Sequence, residues 1–288
     1  MTYRVILAVL RGDPTDSNCL SAAQLLAQPG DGHVEALHVR ADPRRYIDFT
    51  GDAMTSSAYA DLLDSLEEEE NACARKARAA FDGWQRDSGA QLMDAPADGS
   101  GFSAAWREVT GMEERVVTED GRLFDAIVIA ATSDETESIR LGTIERALFD
   151  SGRPLLMVPS SGAMKQPKNI AVLWNGSAQA ARAVESALPV LKRAETVSVL
   201  WVEDGEAEGR VQTGVAEYLA WHGITARMVP HKPDDRSFGE QLHDEAAKSG
   251  ADLVVMGAYS HSRLREFILG GVTQHMLENS TLPILMAH

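Results

Sequence analysis

The sequence predicts an α/β protein with two tandem domains, each a doubly wound, five-stranded parallel sheet. The first observation is an internal repeat: the phrase at residues 6–12 returns at 170–176, and those at 125–130 and 153–158 return at 252–257 and 282–287. The second is that apolar runs of strand length alternate with segments of helical periodicity, which is typical of parallel sheets with right-handed crossovers. The third is the length of 288 residues, which suits two domains of about 100–150 residues each.

The first domain is predicted to span residues 1–159. Strands are expected where short apolar runs are bounded by turn residues, at 5–10, 33–39, 125–131 and 154–158, with a weak strand at 91–95. Helices are expected from an N-cap at Ser17 to Leu26, over 59–84, around 113–118, and over 141–150. This copy carries a long insertion, placed between Arg40 and Glu70, whose acidic run at 67–70 is interpreted as a solvated helix face.

Residues 159–167 have the composition of a linker, and the second domain is predicted to span residues 168–288. Its strands are expected at 170–174, 196–202, 224–229, 252–256 and 283–287. Between them we expect a helix through Ala183, Ala187 and Leu191, then helices at 211–222, 238–248 and 271–279.

Composition and charge exclude several classes of function. The net charge of −16 argues against nucleic acid as a partner, because phosphate-backbone binding needs clustered lysine and arginine. Nothing resembles a signal peptide or a membrane span, so a cytoplasmic location without membrane association is expected. The two cysteines, Cys19 and Cys73, lack metal or redox spacing and are expected to be reduced in helices; the eight histidines also lack metal-ligand spacing.

The most informative segment is residues 257–271, which follows the fourth strand of the second domain and leads into its last helix. Ligands bind at this edge of open α/β sheets. Gly257 begins the loop and Gly270-Gly271 ends it, so its backbone could curl closely around an anion. The amides of Gly271, Val272 and Thr273 would then be donors at a helix N-terminus, with Arg263 and Arg265 in the same loop. A plain strand-to-helix connection, with glycines only as turn residues, is the alternative interpretation.

These residues resemble a motif of the universal stress protein family, and the chain as a whole resembles its tandem members. Nucleotide-binding members carry Gly-x2-Gly-x9-Gly-(Ser/Thr) after strand four and an Asp-Gly-Ser turn after strand one. Here Gly257 matches the first glycine, Gly270 the third, and Asn175-Gly176-Ser177 the turn. Ser260 replaces the second glycine and Gly271 replaces the Ser or Thr, whereas His261 is expected at the surface or in contact with the ligand.

The resemblance implies an adenine-nucleotide alpha hydrolase-like fold and a stress-response protein that acts as a nucleotide-responsive regulator, with ATP or AMP bound by the second domain. The implied site comprises the following residues: Asn175, Gly176, Ser177, Gly257, Ser260, His261, Arg263, Gly270, Gly271, Val272 and Thr273. It also implies that the last strands, at 154–158 and 283–287, meet as an internal pseudo-dimer, which leaves pairing of whole chains into a homodimer open.

The first domain is predicted not to bind nucleotide. Its loop reads Ala130-Ala-Thr-Ser133 with only eight residues before Gly142, and Arg11 stands where the turn's Asp would be. A different class of function remains open: an interaction scaffold that binds no nucleotide and presents the insertion near residues 46–58 to a partner. Catalysis beyond a slow ATP hydrolysis is not expected, because neither a base for water nor an acidic cluster for Mg²⁺ is evident.

One apparent dinucleotide fingerprint is rejected. Residues 99–104 match G-x-G-x-x-A, with acidic residues about 20 positions further on. A true fingerprint follows the first strand of a βαβ unit, whereas this one follows the weak strand at 91–95 and precedes an expected helix interrupted at Thr110-Gly111.

Overall fold

The structure is a computed structural model that describes residues 3–27, 31–42, 56–96, 101–131, 137–160, 162, 164–202, 210–232, 234–259 and 271–288. Its described strands are β1 (Val5–Leu10), β2 (His33–Arg40), β3 (Gln91–Leu92), β4 (Ser103–Thr110), β5 (Ala126–Ala130), β6 (Leu155–Val158), β7 (Asn169–Trp174), β8 (Thr196–Val202), β9 (Ala226–His231), β10 (Leu253–Gly257) and β11 (Ile284–Ala287). Its described helices are α1 (Asp16–Leu26), α2 (Ser56–Ser88), α3 (Glu113–Gly121), α4 (Glu137–Asp150), α5 (Ala178–Leu191), α6 (Arg210–Trp221), α7 (Phe238–Lys248) and α8 (Gly271–Asn279).

The described strands form one 11-stranded sheet in the order β3-β4-β2-β1-β5-β6-β11-β10-β7-β8-β9. Each half of the chain contributes five strands in the same order, since β4-β2-β1-β5-β6 mirrors β9-β8-β7-β10-β11. The short β3 adds a sixth strand at the outer edge of the first half. Pairing within each half is parallel, so the predicted α/β fold with two doubly wound units is confirmed.

The two halves join through their last strands. β6 and β11 pair antiparallel, with Leu156 opposite Leu285, and both side chains are buried. The pairing predicted for residues 154–158 and 283–287 is therefore present, and it merges the two expected sheets into one.

The central strands are apolar because helices cover both faces of the sheet. All of β5, β6 and β11 is buried, as is β1 from Ile6 onward. Residues of one strand alternate between two core clusters: Ile6 and Ala8 lie in one, Leu7 and Val9 in the other. Two-sided burial explains why these strands read as continuous apolar runs.

One element differs from the prediction. Residues 103–110 form strand β4, although their composition had suggested a helix interrupted at Thr110-Gly111. β4 pairs with β2 along its whole length, from Ser103 opposite His33 to Thr110 opposite Arg40. Tertiary pairing therefore overrides local preference here. The rejected fingerprint at 99–104 thus runs into a strand, which is a further reason against a dinucleotide site.

The start of α1 also differs from the prediction. The N-cap is Thr15, which makes no side-chain capping bond, and Ser17 lies within the helix. The hydroxyl of Ser17 donates a hydrogen bond to the carbonyl of Pro14 instead. The first turn of α1 is organised by the buried Asp16, whose carboxylate turns back to the preceding loop.

Helix α2 begins within the insertion, continues beyond Glu70 to Ser88, and packs on the first half. Phe81 is fully buried and Ala77 lies in the same core cluster. Glu67, Glu68 and Glu69 are exposed, as expected for a solvated face. Glu70 is half-buried, and its carboxylate accepts a 3.1 Å hydrogen bond from the amide of Ala41.

Neither cysteine is in a disulfide, and both lie in helices, with Cys19 buried and Cys73 half-buried. In the parts of the chain that the structure describes, every helix is too short or too polar to cross a membrane.

Candidate functional site

The turn after β7 is shaped by hydrogen bonds from its own side chains. The Oδ1 of Asn175 accepts a 3.1 Å bond from the amide of Ser177, and the Oγ of Ser177 accepts a 3.1 Å bond from the amide of Ala180. Ser177 is thereby the N-cap of α5. Gly176 has a φ of +73°, the left-handed region that glycine adopts without strain.

Gly257, the last residue of β10, lies against the start of α5. A Cβ at this position would be 2.4 Å from the backbone nitrogen of Ala180 and 2.6 Å from the carbonyl carbon of Gln179. Only glycine permits this approach. Because β10 and β7 are paired neighbours, the approach brings the Asn175–Ser177 turn beside the end of β10.

The chain beyond β10 is tied to the first turn of α8. The amide of Tyr259 donates a 3.2 Å hydrogen bond to the Oγ1 of Thr273, which is buried. Tyr259 has a φ of +55°, which is uncommon for a residue other than glycine. Gly271 is exposed, and a Cβ there would meet no atom within 4 Å. Val272 is half-buried and packs on a core cluster.

The predicted site residues therefore fall into two groups. The structure brings seven of them to one edge of the sheet, at the carboxyl ends of β7 and β10: Asn175, Gly176, Ser177, Gly257, Gly271, Val272 and Thr273. The other four, Ser260, His261, Arg263 and Gly270, lie outside the described residues. The order in which strands are added to the sheet also reverses at this edge, since β8 lies on one side of β7 and β10 on the other. Open α/β sheets bind ligands at such a switch point.

The described residues of this edge offer an anion neutral donors. The first turn of α8 presents backbone N–H groups without partners inside the helix, and the helix dipole adds partial positive charge there. The neighbouring α7 begins with Phe238, and the carboxylate of its first turn, Glu240, lies 3.9 Å from the guanidinium of Arg236. Among the described residues, no group of three or more His, Cys, Asp or Glu side chains is placed to hold a metal ion.

The corresponding edge of the first half is filled by charged side chains. Arg11, which follows β1 as Asn175 follows β7, donates from Nε to the Oε2 of Glu113 at 2.8 Å and from Nη2 to Oε1. The hydroxyl of Thr143 donates to the same Oε1 at 2.9 Å. Sequence analysis did not identify this cluster; its signal is a charged residue at the first position of α3.

A second carboxylate occupies the turn after β1. Asp16 accepts a 2.9 Å bond from the amide of Arg11 and a 2.8 Å bond from the amide of Gly12. Burial raises the pKa of Asp16 to about 6, against the opposing effect of these two amides.

Helix α2 covers this turn from outside. A Cβ at Gly12 would be 2.1 Å from the carbonyl oxygen of Cys73, so the helix backbone lies directly on the glycine. Gly12 also has a φ of +78°. Helix α2 thus closes the first half at the turn after β1.

Tyr259 also links the second half to the first. Its hydroxyl donates a 3.0 Å hydrogen bond to the Oε1 of Glu145 in α4, and its ring lies 4.8 Å from that of Phe149. Burial, with the nearby charge of Glu145, raises the pKa of the tyrosine hydroxyl. The residue that follows β10 by two positions is therefore held in place by the other half.

Comparison with known proteins connects this arrangement to one family. The family model described as Universal stress protein family matches residues 167–288. Over 99% of its length the chain is similar to a universal stress protein from Archaeoglobus fulgidus DSM 4304, with 15% identity, 96% of that chain covered and a TM-score of 0.66. It is similarly related to a putative universal stress protein from Pseudomonas aeruginosa UCBPP-PA14, with 16% identity, 99% and 93% coverage and a TM-score of 0.60.

The fold is not confined to proteins of that name. The chain is also similar to the cytoplasmic domain of a prokaryotic cation chloride cotransporter, with 11% identity, 100% and 96% coverage and a TM-score of 0.53. At these identities the similarities establish the fold alone. The sequence has no significant match among curated proteins.

Proposed function

We propose that the protein is a stress-response regulator of the universal stress protein family, whose model matches residues 167–288, and that it binds one adenine nucleotide, ATP or AMP, in its second half. The site lies between the turn after β7 and the first turn of α8. The observation that carries the proposal is the contact of Gly257 with the start of α5, because it holds the turn and the strand end together at the switch point of the sheet.

Three features of the described residues support a phosphate at this edge. The N-terminal turn of α8 supplies backbone donors, which attract phosphate whatever the net charge of the protein. Gly271 has open space above its Cα, so a ligand can approach the backbone closely. Asn175 stands where the family's nucleotide-binding members carry an Asp, and its exposed side chain could serve the adenosine.

The proposed regulator would act through the junction of the two halves. Tyr259 follows the start of the loop and bonds to Glu145 of the other half. A ligand that changes the position of this loop would therefore act on a residue that both halves hold. No chemistry is assigned to the nucleotide, which serves as a signal.

Binding of ATP, AMP and GTP to the full-length protein, measured by isothermal titration calorimetry, tests the proposal. We expect saturable binding of the adenine nucleotides at one per chain and weaker binding of GTP. Gly271→Ser should restore a hydroxyl donor to the phosphate and tighten binding about 3- to 10-fold relative to Gly271→Ala, the matched variant without the hydroxyl. Absence of saturation up to millimolar nucleotide would overturn the proposal.

The scaffold hypothesis gives the opposite result in the same titration. It places the partner surface on the insertion near residues 46–58, of which 46–55 lie outside the described residues. The described helix α2 packs on the first half, which gives it a structural task in covering Gly12. Capture of a partner that survives deletion of 46–55 would count against the insertion as its docking surface.

A further inference from the structure

The Glu113 carboxylate is held like a bound ligand. It receives three hydrogen bonds, two from the guanidinium of Arg11 and one from the hydroxyl of Thr143. The side chains of Arg11 and Glu113 are 17% and 16% exposed, and Thr143 is fully buried. A two-pronged contact of guanidinium with carboxylate, completed by a hydroxyl, is how proteins recognise small carboxylates.

The two residues that donate to Glu113 occupy positions equivalent to those that flank the candidate site in the second half. Arg11 follows β1 as Asn175 follows β7, and Thr143 corresponds in the repeat to Gly271 at the start of α8. β1 lies between β2 and β5, so the first half has its own switch point here. Glu113 enters from the side as the first residue of α3, where the second half has Phe238 at the start of α7.

We infer that the first half contains a complete carboxylate-binding site, formed by Arg11 and Thr143, which the protein's own Glu113 occupies. While it is bound there, the Glu113 carboxylate excludes external anions from this site. The ligand class of the vacated site is a small carboxylate the size of acetate. The inference does not depend on nucleotide binding by the second half.

Removal of the Glu113 side chain tests the inference by chemical rescue. Glu113→Ala leaves the guanidinium of Arg11 largely buried without its partner, so the melting temperature should fall by roughly 5 °C. Sodium acetate, titrated against sodium chloride at constant ionic strength, should restore most of that loss in a saturable manner. The same titration should not change the melting temperature of the wild-type protein beyond the chloride control.

Two further variants separate a site from general destabilisation. Glu113→Gln keeps the shape of the side chain, so it should lower the melting temperature without gaining a response to acetate. Arg11→Met combined with Glu113→Ala removes the main donor and should also be unresponsive. If Glu113→Ala is recovered folded only when acetate is present, the inference is supported. A variant that shows no acetate effect beyond chloride, or an equal effect in the Arg11→Met combination, would overturn it.

Discussion

The two halves of the molecule share one topology and differ in what lies at the switch point. In the first half the carboxylates of Glu113 and Asp16 accept the donors of that edge, and α2 covers Gly12. In the second half the corresponding helices begin with Phe238 and Ala178, so neither position supplies a carboxylate. The strand order therefore creates a crevice at the switch point of each half. The first residues of the neighbouring helices determine whether side chains fill that crevice.

The difference shows how a duplicated fold can divide its tasks. In the first half, buried carboxylates already accept hydrogen bonds from the donors at the switch point, so those donors need no ligand. Donors without such an internal partner remain available to a ligand.

The largest effect is expected at Gly257, where the first half has Ala130. Gly257→Ala would force a methyl group into the backbone of Gln179 and Ala180, so we expect a loss of about 3 kcal/mol in the free energy of unfolding. Urea denaturation with circular dichroism detection measures it. Ala130 is tolerated in the first half because α1 begins four residues after Gly12, whereas α5 begins two residues after Gly176.

Gly271→Ala is the matched control for this substitution. Its methyl group would enter open space, so the free energy of unfolding should change by less than about 0.5 kcal/mol. If the two alanine variants have equal stability, Gly257 is not the contact that shapes the site.

The next prediction concerns the pH dependence of stability, which we expect from the buried Asp16 in the first half. Asp16 has a pKa of about 6 when folded, against about 4 in an unfolded chain, so folding takes up a proton between these values. The contribution of Asp16 to stability therefore falls as pH rises from about 4 to about 6. Relative to Asp16→Asn, the wild-type protein should be about 1 to 2 kcal/mol more stable at pH 5 than at pH 7.5, as measured by urea denaturation at both values. A difference that is independent of pH would contradict the assignment.

The smallest effect concerns the junction of the halves. Tyr259→Phe keeps the ring against Phe149 but removes the hydrogen bond to Glu145, which should cost about 1 kcal/mol. Denaturation of this variant, of Glu145→Gln and of the double variant forms a double-mutant cycle. Losses that simply add would mean that the two side chains do not interact across the junction.

Much of the fold could be predicted from the sequence because its strands are buried on both faces. The bounds of β1, β8, α7 and α8 agree with the predicted ones, and the meeting of β6 with β11, though not its antiparallel direction, was expected from the family resemblance. β4 was missed because Ala, Arg and Glu in residues 103–110 favour a helix locally, and only pairing with β2 makes them a strand.

The candidate site was less predictable than the fold. Sequence pattern located the Asn175–Ser177 turn and placed Gly257 after a strand. It did not show why a glycine is needed at 257, which is contact with a helix 77 residues earlier. The closure of the first half by Glu113 depends on residues from three separate elements. Such contacts leave no periodic signal in a single sequence.

The most direct test of the central claim is the stoichiometry of ATP binding to the full-length chain by isothermal titration calorimetry, for the wild-type protein, Gly271→Ser and Glu113→Gln. If only the second half is open to a ligand, one ATP should bind per chain. Gly271→Ser should raise the affinity for ATP, and Glu113→Gln should leave it unchanged. Two equivalent sites, or a single site that responds to Glu113→Gln and not to Gly271→Ser, would contradict the assignment of an open second half and a closed first half.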